Sequence, residues 1–417
     1  MRGALRVGGP AAFALLLSVV LVPPAVAAPP QATPEGAEQV LEDVGPEAEV
    51  APGVVHRGFT TTPASGRVMG DVVEVDLTQP GVRADLLTPG AVAARAPIAK
   101  MADSSGAVAG INGDFFDIGR TSAPVGPAVQ DGRAIKAAAP PGRRYGPAVP
   151  GAEVDYVFSV GTDGEARIDR LRLEAEAGSQ DKTLPIVAFN QHAVPVDGIA
   201  IFTSDWGEAD RARTLCGSND NKDAPCARDR VEVLVRDGVV VESRKPQGGR
   251  LKEGDIVLAG RDKGAAELRA LPVGEPIEVE YALVPASGVA PEFAVGGSPI
   301  LLDGKPTERL DDKVRAPRSA VGTSAGGEHM FLVTVDGRQR DSVGATLLEL
   351  SNLLKQMGID DAVNLDGGGS STMVFQEDGG KASHVTIVND PSDSSARLVP
   401  NGIGVYVDRA RAASTKG

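Results

Sequence analysis

The chain runs to 417 residues with a formal net charge of -14, from 42 Lys and Arg against 56 Asp and Glu, and a pI of about 4.9. So acidic a surface repels nucleic acid and anionic membranes as partners, yet accepts an anionic substrate wherever arginines gather locally. Two Cys and four His (His56, His192, His329, His384) supply no zinc pattern, H-E-x-x-H is absent, and no cofactor is expected.

Residues 1–27 read as a secretory signal peptide. Arg2 and Arg6 precede the apolar run 13–22, and Ala25-Val26-Ala27 is an A-x-A cleavage site. The run falls short of the ~20 apolar residues of a bilayer span. Removing it leaves roughly 390 residues, enough for one large domain or two ordinary ones. No later segment reads as membrane-crossing, so a secreted or cell-wall-associated protein is expected.

Residues 28–52, rich in Ala, Pro and Glu, read as a disordered leader, with order expected from about Val54. Alternation over 72–77 predicts a strand ended by Gln79-Pro80-Gly81. A second short strand, 107–111, runs into Asn112-Gly113-Asp114-Phe115-Phe116-Asp117, and 118–150 reads as Pro- and Gly-rich loop. These stretches make 53–150 the first part of a catalytic domain. The segment 151–290 reads as a β-rich subdomain, with a hairpin around Gly161-Thr162-Asp163-Gly164 and another turning at Asp237-Gly238. Within it, Cys216 and Cys226 are expected to pair in a local disulfide, as exported proteins favour. The loop 218–223 between them has calcium-binding oxygens but lacks the glycine and distal glutamate of an EF-hand, and reads as a solvated loop.

The segment 291–408 reads as the second part of the catalytic domain, followed by a tail, 409–417. It is expected to hold a hairpin of 319–323 with 330–335, an amphipathic helix over 346–357 stopped by Gly358, a buried strand over 362–365, and a last strand over 403–407. The fold class is α+β: a mixed, mostly β core with a few helices.

Chemistry concentrates at Asp366-Gly367-Gly368-Gly369-Ser370-Ser371-Thr372, directly after the buried strand. An acid at a strand end is followed by glycines that permit close backbone approach, by amides able to form an anion nest, and by hydroxyl donors. A structural turn with a capping Asp is the alternative. Asn112 and Asp114 stand at the end of another strand beside two phenylalanines, the material of glycosidic chemistry or of a packed turn. Arg318 enters a hairpin strand where a guanidinium can grip phosphate, or serve as a solvated edge charge. Asp336-Gly337-Arg338 adds a carboxylate and another guanidinium. Gly322-Thr323-Ser324-Ala325-Gly326 fits G-x-S-x-G but lies between two strands, without the strand-to-helix turn of a nucleophile elbow.

In chain order these pieces run Asn112-Gly113-Asp114-Phe115-Phe116, Gly296-Gly297-Ser298-Pro299, Arg318 with Val321-Gly322, Val335-Asp336-Gly337-Arg338, Gly344-Ala345-Thr346-Leu347, Asn364 to Thr372, and Arg397 with Asn401-Gly402-Ile403-Gly404. That order, across about 105–407, resembles the phosphodiester glycosidase family. The departure is Ala345, where the family more often has a larger apolar residue. The resemblance implies hydrolysis of a sugar-1-phosphodiester to free sugar and a phosphomonoester. The chemistry such a reaction needs makes Asp366 and Asp114 the candidates for nucleophile or base, and Arg318 with the 367–371 loop the candidate phosphate cradle. Asn112, Asp336, Arg338, Gly367, Gly368, Gly369, Ser370, Ser371 and Arg397 are then expected to bind substrate, a sugar phosphate or polysaccharide. The competing class is a non-catalytic protein that binds an envelope polysaccharide.

Overall fold

Alternation of β-branched and polar residues makes strands, and a strand one face of which is apolar must find a sheet to cover it. A computed structural model describes residues 41–408 apart from 64, 142–152, 180–181, 378–383 and 394, together with residue 411. The segment read as a signal peptide, most of that read as a leader and most of that read as a tail therefore lie outside the described residues. Those described fall within one compact unit. It is mostly β, of the α+β class, with three α-helices among the described residues at Ile98–Ser105, Lys263–Arg269 and Leu347–Gln356.

The largest sheet has nine strands. Its centre is Val68–Asp76, His329–Val335, Arg318–Thr323 and Asp361–Asn364, each antiparallel to the next. The expected hairpin is present, in register from Arg318 opposite Val335 to Thr323 opposite Met330. A five-stranded sheet runs Thr386–Ile387, Met373–Phe375, Ala109–Asn112, Gly402–Val407, Val82–Leu87. A seven-stranded sheet contains Tyr156–Gly161 and Ala166–Ser179 beside Pro291–Gly296, Ala128–Gln130 and Arg133–Lys136. The fourth sheet lies wholly within 188–261 and holds the Asp237-Gly238 hairpin.

Helix Leu347–Gln356 shows how local signals fix an element. Thr346 and Glu349 form a reciprocal capping box, which satisfies two orphan amides. Leu350, Leu353 and Leu354 bury one face against Ile300, Leu301, Ala320, Val333 and Ala362 of the nine-stranded sheet. Gly358 then takes φ 82° and ends the helix. Leu354→Ala would leave a cavity in that contact costing ~2–5 kcal/mol.

Three expectations need correction. Strands Leu41–Val44 and Ala48–Ala51 lie inside the segment read as leader, and both pair with Val54–Thr61. Val50 and Ala51 are buried, so a short apolar patch outweighs the acidic, Pro-rich context. The loop-rich stretch 118–150 contains the hairpin Ala128–Gln130 with Arg133–Lys136, turned by Asp131 and Gly132 with φ 47° and 69°. The boundaries at 150/151 and 290/291 cut through the seven-stranded sheet, whose strands come from both sides of each.

Candidate active site

Residues 365–372 carry the chain from strand Asp361–Asn364 of the nine-stranded sheet to strand Met373–Phe375 of the five-stranded one. The bridge is fastened at both ends. Leu365 N–H donates to the Ser319 carbonyl at 2.8 Å and Asp366 N–H to the Gly113 carbonyl at 2.9 Å. Asn112 N–H donates to the Thr372 carbonyl at 3.1 Å. The Asn112 side chain completes the fastening. Its Nδ2 donates to the Asp366 carbonyl at 2.6 Å, and its Oδ1 accepts from Ser319 Oγ at 2.7 Å and from Thr372 N–H at 3.0 Å. Asn112 is fully buried and positions the bridge.

The glycines make the bridge crowded, not open. Gly368 has φ 63°, and a Cβ there would stand 3.3 Å from the Arg338 guanidinium. A Cβ on Gly369 would overlap the Asp393 carboxylate and the Arg397 guanidinium. Three of the amides are engaged inside the protein: Gly368 N–H donates to the Pro317 carbonyl at 2.9 Å, and Ser370 and Ser371 N–H donate to the carbonyls of Gly367 and Gly368 at 3.3 and 3.2 Å.

Two carboxylates meet at this place. Asp366 is partly exposed, and burial raises its pKa to about 6 against the opposing pull of the Ser370 hydroxyl, Arg397 and the Gly367 amide. Asp114 is 3% exposed. Its N–H donates to Asn401 Oδ1 at 3.0 Å, and its Oδ2 accepts from Gly126 N–H at 2.5 Å. Burial pushes Asp114 upward, Lys136 opposes that shift, and the Asp366 charge adds to it.

The arginines divide into two kinds. Arg318 is fixed by carbonyls, with Nε donating to Ala345 at 2.9 Å and Nη2 to Val314 at 2.7 Å. Burial lowers its pKa, Asp311 and Glu349 act oppositely at longer range, and Arg338 adds to the lowering. Among the described residues no carboxylate comes within ion-pair distance of Arg318 or Arg338. Arg397 differs: it pairs with Asp393 at 2.9 Å and donates to Ser370 Oγ at 3.4 Å. Arg318 and Arg338 therefore stand beside the bridge without a carboxylate partner among the described residues, whereas Arg397 has one.

Asp336 is likewise a support. It is buried, its pKa is raised to about 6 by that burial, and it accepts from Asp390 N–H at 3.0 Å and Asn389 Nδ2 at 3.3 Å. Asn389 in turn holds the Ser371 carbonyl and the Met373 amide. Ser370 is buried under Arg397, whereas the hydroxyls of Ser371 and Thr372, Asn401 Nδ2 and Asn364 Oδ1 are buried without a hydrogen-bond partner. Buried orphan polar atoms of this kind are matched by water or ligand.

Sequence reasoning missed Lys136 and the role of Asn401. Lys136 is 1% exposed and ends strand Arg133–Lys136. The signal was a lone cation in an apolar run, Ala134-Ile135-Lys136-Ala137-Ala138. Ser324 lies in the turn between two strands, where its Oγ accepts from His329 N–H at 3.2 Å, and His329 faces Glu74. Cys216 and Cys226 are joined in a disulfide. The loop between them is tied internally through Asn221 and outward through Asp223 to Arg120. Among the described residues no group of three or more His, Cys, Asp or Glu could hold a metal ion.

Comparison with known proteins adds the following. Residues 229–406 match the sequence model of the phosphodiester glycosidase family. That span includes Arg318, Asp336, Arg338, Asp366 and Arg397 but neither Asp114 nor Lys136. An SPbeta prophage-derived uncharacterized protein of Bacillus subtilis (strain 168) is 33% identical over 127 residues, 29% of this chain but only 18% of that protein. A hypothetical protein of Synechocystis superimposes with TM-score 0.67 at 20% identity, over 88% of this chain and 64% of that one, and shares the fold. So does a predicted exported protein of Burkholderia pseudomallei K96243, with TM-score 0.68 at 18% identity, over 89% and 98% of the two chains.

Proposed function

We propose that this chain, which carries a phosphodiester glycosidase domain at residues 229–406, hydrolyses sugar-1-phosphodiesters to free sugar and a phosphomonoester. The observation that supports this most is the pair Arg318 and Arg338, cations without carboxylate partners among the described residues, beside a bridge that begins with Asp366. An anion held there brings its glycosyl carbon toward the carboxylates. In the reaction the bond between anomeric carbon and phosphate oxygen breaks, and its electron pair stays on the phosphate. Oxygen from water ends on the sugar, and the water proton passes to a carboxylate. Asp366 and Asp114 stabilise the developing oxocarbenium charge and attack or activate water. The arginines take the charge of the departing phosphate by bidentate hydrogen bonds. Ser371, Thr372, Asn364 and Asn401 offer their orphan polar atoms to sugar hydroxyls. We place the enzyme outside the cell, acting on an envelope or extracellular glycan. The signal-like first 27 residues and the fold shared with a predicted exported protein support that, and no described helix is long and apolar enough to cross a membrane.

The test pairs two variants on two substrates, a sugar-1-phosphodiester and an aryl glycoside lacking phosphate. Asp366→Asn lowers kcat on both by roughly a thousandfold, about 4 kcal/mol of barrier. Arg318→Ala raises KM and lowers kcat on the phosphodiester while sparing the aryl glycoside. A neutral Arg318→Ala would remove the phosphate assignment. Tight binding of sugar phosphate by the unaltered protein without turnover would make it a binding protein instead.

A further inference from the structure

The floor of the site holds a cation that no part of the proposed reaction uses. Lys136 projects from the end of strand Arg133–Lys136 into the interior, and its Nζ donates to three backbone carbonyls: Ala137 at 2.7 Å, Val125 at 3.4 Å, and Gly126 more closely. No carboxylate touches it among the described residues. The charged group acting on it is Asp114, and burial presses its pKa downward against that attraction. Gly126 joins the two, since its carbonyl accepts from Lys136 while its amide donates to Asp114 Oδ2. The linker has no room for a side chain: a Cβ on Gly126 would stand 2.7 Å from Gly296 Cα and 3.1 Å from Asp114 Oδ2.

The cage around Lys136 is built from a distant part of the chain. Gln191 Nε2 donates to the Val125 and Ala137 carbonyls at 3.0 Å each, and so shares two of the three acceptors. Asn190 Nδ2 donates to the Ile135 carbonyl at 2.8 Å, and Ala137 N–H donates to the Phe189 carbonyl. The fourth sheet therefore braces the cage through residues 189–191. A bare ammonium in such a place is costly to keep unless it serves a neighbouring negative charge.

We propose that Lys136 is a positioning residue that holds Asp114 ionised and in its present orientation at the base of the site. Its ammonium supplies the attraction, and its grip on Gly126 aims the amide that fixes Asp114 Oδ2. The charged groups facing Asp114 are Lys136 from the seven-stranded sheet and Asp366 from the bridge, and these act in opposite directions. The consequence for catalysis rests on the function proposed above, but the ionisation itself does not.

The experiment follows Asp114 directly by NMR of protein labelled with 13C at aspartate carboxyls, assigned with Asp114→Asn and recorded without substrate. Lys136→Met raises the Asp114 titration midpoint by roughly one pH unit or more, since the opposing charge is gone. The acid limb of kcat/KM moves up with it, and Lys136→Arg restores part of the shift. An unchanged midpoint in folded Lys136→Met overturns the proposal. If Lys136→Met does not fold, the reciprocal arm decides. In Asp114→Asn the Lys136 13Cε midpoint falls, and a value equal to that of the unaltered protein overturns the proposal. A shifted midpoint in a protein without glycosidase turnover would leave this inference standing and sink the proposed function.

Discussion

The two carboxylates of the site reach similar ionisation by different routes. Burial raises both Asp366 and Asp114. At Asp366 the burial is opposed by Ser370 and Arg397, the rim side chains, of which Arg397 pairs with Asp393 and donates to Ser370. At Asp114 it is opposed by Lys136 and by the Gly126 amide, inside a cage of backbone carbonyls. The rim is built from side chains, the floor from a lysine and main-chain groups, and two acids held in unlike surroundings are the arrangement that lets environments divide acid–base roles.

That contrast breaks most readily at Gly369. A methyl group there occupies the space of the Asp393–Arg397 pair, so Gly369→Ala displaces the support of Ser370 and Asp366. We expect kcat/KM to fall by roughly a hundredfold, about 2.7 kcal/mol, with the circular dichroism unchanged. Activity within a few-fold of the unaltered protein would show that the rim does not hold Asp366.

A smaller effect concerns pH. An Asp366 that must be ionised to attack or activate water, with a pKa raised to about 6, loses activity as pH falls through that value. Then kcat/KM should drop about tenfold per pH unit below the limb. A profile flat to pH 4.5 would contradict an ionised Asp366 in the reacting state.

The smallest effect uses a buried acid outside the site. Asp85 is 5% exposed, accepts from the Leu86 amide at 2.7 Å, and is raised to about 6 by burial and the neighbouring Asp131. Between its unfolded pKa of 3.8 and about 6 the folded state binds the extra proton, so this group's contribution to stability declines as pH rises through that window. Asp85→Asn should therefore raise the Tm at pH 8 by a few degrees and leave it nearly unchanged at pH 4. An equal change at both pH values would mean that Asp85 is not raised, and would weaken the burial argument for Asp366 as well.

What could be read from the chain follows from how local each signal was. Asp366 and its glycines were legible because acid, glycines and hydroxyls are consecutive. Helix Leu347–Gln356 was legible because its apolar spacing and stop lie within a few turns. Helix Ile98–Ser105 was not, being eight residues long and opened by Pro97 without a side-chain cap. The engagement of the Gly368 amide was not legible, because its partner, Pro317, is far away in sequence. That Asn389 engages Asp336 and Asp393 engages Arg397 was not legible either, because no local pattern marks those partners. Lys136 escaped because its surroundings are assembled from separate segments around Asp114, Val125, Gly126 and Gln191, which no short window reports.

The bridge between the two sheets has a consequence for variation. Its eight residues, 365–372, run between abutments set by Ser319 and Gly113 at one end and by Asn112 at the other, and Asn112 grasps both ends at once. A residue added or removed within it would leave one abutment unmet, whatever the residue was. The number of peptide units in the span is thus set by its two abutments, separately from the side chains that it carries.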